Sequence, residues 1–368
     1  VPLIYIYKML PHAVYVLKKA SELANIAKKS HKAYARGMNQ SLSAIVQQLM
    51  ASPKGLLAAD ESTKSCCKRF DTLKIACTDE SRLQWRQLLC MSPNIELYIS
   101  GVILYDETIR QQTDSGLPFA EALTKNGIIP GIKVDKGLVE MANFAPQTIT
   151  EGLDGLAERL TEYYAMGARF TKWRSAFAIG VDLPSPAVVR ANMAVMARYA
   201  AIVQAAGMVP IVEPEVIYDG DHSLAESGRA TELVIKVLFE ELADMKVDLT
   251  GLILKTSMVL AGKDAADVSS PQQVADATLK VLNAAVPREV GGIVFLSGGQ
   301  TADQATKNLN AIGAIGAQPW PITYSYSRAV QEPALKIWHG NQNNIKKAQL
   351  KFAQLLARNS AARNGEYA

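Results

Sequence analysis

The feature that most constrains this chain is a rhythm. Eight short runs of apolar and β-branched residues are each separated from the next by an amphipathic stretch. The runs are 55–60 (GLLAAD), 98–106 (YISGVILYD), 127–135 (GIIPGIKVD), 167–175 (GARFTKWRS), 208–216 (MVPIVEPEV), 251–258 (GLILKTSM), 291–298 (GGIVFLSG) and 321–328 (PITYSYSR). Strands alternating with helical stretches denote βα units around a parallel sheet. Among the stretches between them, 151–166 carries Leu153, Leu156, Ala157, Leu160 and Tyr164 at helical spacing, with Thr150 placed to cap its start and Gly167 beyond its end. A second helix is expected at 187–206, ending at Gly207, and a third at 271–285, with Ser270 as N-cap and Pro271 at the first helical position. No low-complexity linker divides the chain. One closed (β/α)8 barrel, a TIM barrel in the α/β class and a single domain, accounts for eight such strands better than two open sheets.

The polar residues sharpen this reading. Asp60, Glu107, Lys133, Asp135, Lys172, Arg174, Glu213, Glu215, Lys255, Ser297 and Arg328 all fall within or at the C-terminal end of an expected strand. In a (β/α)8 barrel those ends converge on one face, where the chemistry of the fold is located. Lys255 is the sharpest case, because the preceding GLIL offers nothing to neutralise it and an unpaired buried charge is costly. A single strand-end lysine usually snorkels to solvent. Ionisable residues at the ends of nearly every strand point instead to a shared site.

Charge and cysteine content narrow the function. The formal net charge is +4, but residues 1–37 hold seven Lys or Arg against one Glu, leaving 32 basic and 34 acidic residues in the remainder. Such a near-neutral body argues against a nucleic-acid partner bound through a basic surface. The apolar segment at the start is interrupted by Lys8, Pro11 and His12, short of the ~18 apolar residues a membrane span needs. Residues 1–37 are read as an N-terminal extension outside the core fold, with Met38 opening the 38–368 barrel. Their basic, acid-poor composition also fits organelle targeting, although one Arg and two Ser are few for a transit peptide. Cys66, Cys67, Cys77 and Cys90 show no Cys-x-x-Cys pair or disulfide framework and are read as reduced thiols of a cytoplasmic protein. With His12 and His31 in the leader, His222 and His339 alone cannot build a metal cluster such as HExxH, so no metal and no cofactor is expected.

The strand-end residues suit carbonyl chemistry. A lysine attacks a carbonyl only as the neutral amine, which desolvation or neighbouring cations such as Lys133 and Lys172 favour. Glu213, one strand earlier, is a candidate general acid for dehydrating the carbinolamine. Its neighbour Glu215 would form a carboxylate pair in which repulsion keeps one member protonated. Asp60, from the first strand, is a candidate base for the hydroxyl beside a scissile bond. Ser297, Gly298 and Gly299 end strand seven ahead of a helix starting near Thr301, and Arg328 follows on strand eight, the usual phosphate position in this fold.

Together these segments resemble the class I fructose-bisphosphate aldolases. GLLAADEST, GVILYDET, GIKVDKG, EGLDGLAERL, KWR at 172–174, ARYA, VPIVEPE, FLSGGQ, NLNAI and YSRA occur in the family order and spacing, from about Met38 to Tyr367. The resemblance implies reversible retro-aldol cleavage of fructose 1,6-bisphosphate in glycolysis and gluconeogenesis, with Lys255 forming the Schiff base. It implies Glu213 as the proton donor or acceptor in making and resolving that adduct, Asp60 on the C4 hydroxyl, and Lys133, Lys172 and Glu215 in support. One phosphate would meet Ser297, Gly298, Ser325 and Arg328, and the other Ser62, Ser65 and Arg69, with Arg82 a further substrate-associated position and Arg174 beside the site. A homotetramer is also implied. The chain departs from better-known members at Lys64 and Ser327, each in place of a Gly, and at Thr256 and Ser257, in place of Pro and Asn. Another Schiff-base barrel enzyme would share the lysine but leave two phosphate-binding sets unexplained.

Overall fold

A computed structural model describes residues 41–266 and 268–367; the N-terminal extension and Met38 lie outside the described residues. Ten strands are present: β1 (Gly55–Ala59), β2 (Ile99–Leu104), β3 (Ile129–Lys133), β4 (Gly137–Glu140), β5 (Thr148–Glu151), β6 (Phe170–Phe177), β7 (Val209–Val216), β8 (Ile253–Thr256), β9 (Gly292–Phe295) and β10 (Ile322–Tyr326). Eight of them close a parallel barrel in the order β1-β10-β9-β8-β7-β6-β3-β2. All eight expected strands lie in the barrel, most of them trimmed by a few residues at their ends, while β6 runs two residues beyond its expected end to Phe177.

The barrel is filled from its amino-terminal mouth. Ile45, Val46, Leu49 and Met50, on and just after the helix Leu42–Leu49, pack against Leu56, Phe170, Val209, Ile211, Ile253 and Val294, which sit at or near strand starts. Glycine lets that helix approach: a Cβ on Gly101 would fall 2.6 Å from Leu49 Cδ2, and one on Gly292 2.6 Å from Met50 Cγ. The plug is apolar throughout, so the polar strand ends have only the opposite mouth in which to gather.

Helix Pro271–Ala285 begins where the sequence places it, with Ser270 accepting a bond from the Gln273 amide in a capping box. Helix Pro186–Ala205 likewise matches within a residue, with Pro186 in its first turn. The 151–166 expectation needs correcting, because that helix runs Leu156–Ala165. Gly152 and Gly155 both take positive φ, so the chain cannot be helical there, and Thr150 belongs to β5. Strands β4 and β5 form an antiparallel hairpin the sequence did not reveal. Most of β4 faces solvent, so no apolar alternation marked it.

The cysteine expectation also fails. Cys67 and Cys77 are disulfide-bonded, with Cα atoms 5.2 Å apart, while Cys66 and Cys90 are free and buried. The helix Thr63–Thr72 carries Cys67, and the chain turns back through Lys74 at positive φ, which returns Cys77 to it. A ten-residue separation of this kind matches no framework spacing, and burial raises the thiol pKa of both free cysteines, that of Cys90 to about 12.

Candidate active site

The carboxyl ends of the strands open into a cleft of about 1200 Å³. Asp60 directly follows β1, Lys133 ends β3, Lys172 and Arg174 lie on β6, Glu213 and Glu215 on β7, and Lys255 on β8. Side chains two apart on a strand share a face, so Lys172 with Arg174, and Glu213 with Glu215, turn the same way. Strand register then sets Lys172 beside Lys133 and Arg174 beside Glu213.

At the centre is a buried chain of opposite charges. Lys255 Nζ lies 3.1 Å from Glu213 Oε1. Lys172 Nζ reaches Glu213 Oε2 at 2.8 Å and donates to Asp60 Oδ2 at 3.0 Å. Burial raises the Asp60 carboxyl, but the ammonium of Lys172, then those of Lys255 and Lys133, outweighs it and lowers the pKa to about 2. For Lys172, desolvation favours the neutral amine, yet Asp60 and Glu213 prevail and shift it upward. Asp60 and Lys172 are therefore both charged at neutral pH. Lys133 is held by its own strand end, donating to Asp135 Oδ1 at 2.5 Å and to the Asp135 carbonyl at 2.9 Å.

The expected Glu213/Glu215 pair does not share a proton. Arg174 Nε donates to Glu215, and this guanidinium, with Lys172 and Lys255 behind it, overcomes the upward push of burial and lowers the Glu215 pKa. Glu215 is thus an ionised partner of Arg174, while Glu213 bridges the two lysines.

At one end of the cleft, Ser297, Gly298, Ser325 and Arg328 line the wall. Gly298 and Gly299 take φ of 57° and 100°, and a Cβ on Gly299 would sit 3.8 Å from Arg328 Nη2, so this loop and the guanidinium are adjacent. Arg328 begins the helix Arg328–Trp338 rather than ending the strand, a small shift from the sequence reading. Ser325 Oγ is buried without a hydrogen-bond partner among the described residues, leaving it available to an anion.

At the other end, Ser62 and Ser65 flank the start of the helix Thr63–Thr72, and the Ser65 amide donates to Ser62 Oγ at 3.3 Å. Arg69 is on the cleft wall, but its fork is engaged: Nη1 donates to Glu61 Oε1 at 2.6 Å and Gln331 Oε1 at 2.8 Å, and Nη2 to Glu332 Oε2 at 3.3 Å. Arg82 corrects an expectation, since it does not line the cleft. Its guanidinium is spent on Glu107, at 3.0 and 3.1 Å from Nε, and on Asp79, which also removes Glu107 from the strand-end set.

Sequence reasoning missed Glu61. Half-buried, it accepts from Arg69, Arg86 and Ser327, and the two arginines overcome desolvation to lower its pKa. Its place between Asp60 and Ser62 was the available signal. Arg159 was also missed; it ties the β3 end to the hairpin by donating to the Val134 carbonyl at 2.8 Å and to that of Gly152. Among the described residues, no group of three or more His, Cys, Asp or Glu is arranged to hold a metal ion, and no helix is long and apolar enough to cross a membrane.

Comparison with known proteins agrees with this geometry. The family profile of class I fructose-bisphosphate aldolase, a glycolytic family, matches residues 41–368. A Xanthomonas campestris protein named probable fructose-bisphosphate aldolase class 1 is 46% identical over 329 residues, covering 89% of this chain and 98% of that protein. Cytosolic fructose-bisphosphate aldolase 4 of Arabidopsis thaliana is 44% identical over 85% of this chain and 80% of its own length. A solved structure of Plasmodium falciparum fructose-bisphosphate aldolase, in complex with TRAP and a small-molecule inhibitor, superposes with a TM-score of 0.87 at 42% identity, covering 89% of this chain and 95% of that one. With its profile, its relatives and its closed barrel in agreement, the chain belongs to the class I fructose-bisphosphate aldolases, metal-independent lyases of glycolysis acting on a sugar bisphosphate.

Proposed function

We propose that Lys255 is the covalent nucleophile and that Asp60, Lys172 and Glu213 move the protons of the retro-aldol reaction. The observation that carries this reading is a lysine amine, 3% exposed, held 3.1 Å from the carboxylate of Glu213 at the base of the cleft. Lys255 Nζ passes a proton to the adjacent Glu213 carboxylate and, as the neutral amine, attacks the C2 carbonyl carbon of fructose 1,6-bisphosphate. Glu213 hands a proton to the departing hydroxyl, and water leaves an iminium. Asp60, ionised at working pH, then accepts the C4 hydroxyl proton. As the C3–C4 bond breaks, its electron pair passes into the iminium to give an enamine, and glyceraldehyde 3-phosphate departs. Protonation at C3 and hydrolysis of the iminium release dihydroxyacetone phosphate and restore the lysine. Since Asp60 is a weak base, the driving force for cleavage lies in the iminium as electron sink, the task a metal ion performs in other enzymes.

Ser297, Gly298, Gly299, Ser325 and Arg328 take the C1 phosphate, and the Ser62–Ser65 end takes the C6 phosphate. Lys133, Arg174 and Glu215 fix the walls between them. Residues 38–368 are the catalytic barrel and residues 1–37 an extension that the chemistry does not use. On family resemblance the assembly is a homotetramer, and on the naming of cytosolic relatives the site of action is the cytoplasm; sedimentation analysis and cell fractionation check these two assignments.

The test is reductive trapping. Borohydride added with dihydroxyacetone phosphate should leave one adduct, which peptide mass spectrometry locates on Lys255, and turnover should persist in EDTA. An adduct confined to Lys172 or Lys133, or undiminished activity without any adduct, would sink the assignment.

A further inference from the structure

We propose that Lys64 is a specificity-determining residue of this aldolase, a cation that favours the bisphosphate over fructose 1-phosphate by meeting the second phosphate. The inference rests on the reading that the Ser62–Ser65 end of the cleft takes that phosphate.

The argument begins with the arginine that the sequence assigns there. All the carboxylate and amide bonds of Arg69 join it to Glu61, Gln331 and Glu332, so it serves as a clamp between the β1 end and the helix Arg328–Trp338. Ser327 donates to the same Glu61 and tightens the clamp. A phosphate would have to compete with these carboxylates for the guanidinium. Lys133, Lys172 and Arg174 are equally committed, to Asp135, to Asp60 and Glu213, and to Glu215, whereas Lys68, Lys136, Arg159 and Arg328 also line the cleft without an ion pair among the described residues. Lys64 belongs with the second group. It lines the cleft, is exposed, and has no carboxylate within 4 Å among the described residues.

Its position is unfavourable unless an anion visits. Lys64 is the second residue of the helix Thr63–Thr72, whose first turn contains no acidic residue, and a cation there opposes the positive end of the helix dipole. Lys68, four residues on and also lining the cleft, brings a like charge to the same helix face. A phosphate seated between the Ser62 and Ser65 side chains would relieve both conflicts, with the lysine side chain long enough to follow it.

The experiment uses the full chain and its Lys64→Gln, Lys64→Arg and Ser62→Ala variants, with kcat/KM measured on fructose 1,6-bisphosphate and fructose 1-phosphate at low and raised ionic strength. For an exposed charge the expected loss is about two- to fivefold. Lys64→Gln should lower the bisphosphate-to-monophosphate ratio by that factor, Lys64→Arg should restore most of it, and salt should shrink the difference. An unchanged ratio in Lys64→Gln, while Ser62→Ala lowers it, overturns the role of Lys64 alone. If neither variant moves the ratio, the placement of the second phosphate falls as well.

Discussion

Replacing Lys172 with methionine tests the buried charge chain most directly. The ammonium lies 3.0 Å from Asp60 Oδ2 and 2.8 Å from Glu213 Oε2, with all three side chains less than a tenth exposed. Methionine fills a similar volume but strands Asp60, whereas Glu213 retains Lys255 at 3.1 Å. Breaking one side of a buried ion pair costs about 3–5 kcal/mol. Asp60 itself gives a second scale: lowering its pKa from 3.8 to about 2, by Lys172 together with Lys255 and Lys133, corresponds to roughly 2 kcal/mol. At the unfolding entropy typical of a domain of this length, the melting temperature should drop by roughly 3–7 °C. The sign with pH follows from the depressed carboxylate. Its stabilisation is present above the unfolded pKa of about 4 and is lost as pH falls through about 2. Lys172→Met should therefore flatten the acid limb of stability between those values, and Asp60→Asn added to it should recover part of the loss. Urea unfolding of the two single variants and the double variant from pH 7 to pH 2, with thermal melts alongside, measures all of this. A Lys172→Met protein as stable as the parent, or a double variant whose losses simply add, would refute the coupling.

Arg328→Ala should lower kcat/KM about 10- to 100-fold on both fructose 1,6-bisphosphate and fructose 1-phosphate, the loss expected for a charge-assisted phosphate contact; steady-state kinetics that spare either sugar would contradict it. Arg69→Ala should act chiefly on stability, lowering the melting temperature while changing the ratio between the two sugars less than twofold, because its fork holds Glu61 and Glu332. Thiol titration in denaturant without reductant should count two cysteines, Cys66 and Cys90, and four after reduction. Serine at Cys67 and Cys77 should cost about 2.5–3 kcal/mol, from the entropy of so short a loop. Deleting residues 1–37 should leave melting temperature and specific activity unchanged, and a marked fall in either would show that the extension contributes to the catalytic unit.

Strands were legible because barrel staves are apolar on both faces, and ionisable residues inside GLILKTSM or VPIVEPEV stand out against that background. Convergence followed from topology alone, since parallel strands in a closed barrel deliver their carboxyl ends to one mouth. The partnerships were not legible. Nothing in the spacing of Glu213 and Glu215 distinguishes a pair sharing a proton from two carboxylates assigned to different cations. Register decides it, with Arg174 beside Glu213 in the ladder but its Nε directed to Glu215. Arg82 shows the same limit: a basic residue near the first strand reads as an anion contact until Glu107 is found against it. The hairpin Gly137–Glu140 with Thr148–Glu151 and the Cys67–Cys77 bond were invisible for related reasons, one lacking a buried face and the other closing through a turn rather than a motif.

Two of the departures from the family pattern become intelligible once their hydroxyls are followed, whereas the Thr256 hydroxyl is buried with no hydrogen-bond partner among the described residues. Ser257 Oγ donates to the Val216 carbonyl at 2.8 Å, joining the chain just beyond β8 to the end of β7. That bond lies two residues from Lys255 on one side and one residue from Glu215 on the other, so it ties together the two segments whose separation sets the Lys255–Glu213 contact. Ser327 donates to Glu61, the acceptor already shared by Arg69 and Arg86, and so links the start of the Arg328 helix to the β1 end. In both places a residue beside the chemistry has taken on a cross-strand anchor, leaving the reacting groups where they are. Lys64 alone among the four departures carries a charge and faces the cleft without a carboxylate. The two serines therefore bear on how firmly the barrel mouth is held, and the difference in what the enzyme prefers to bind falls to the lysine.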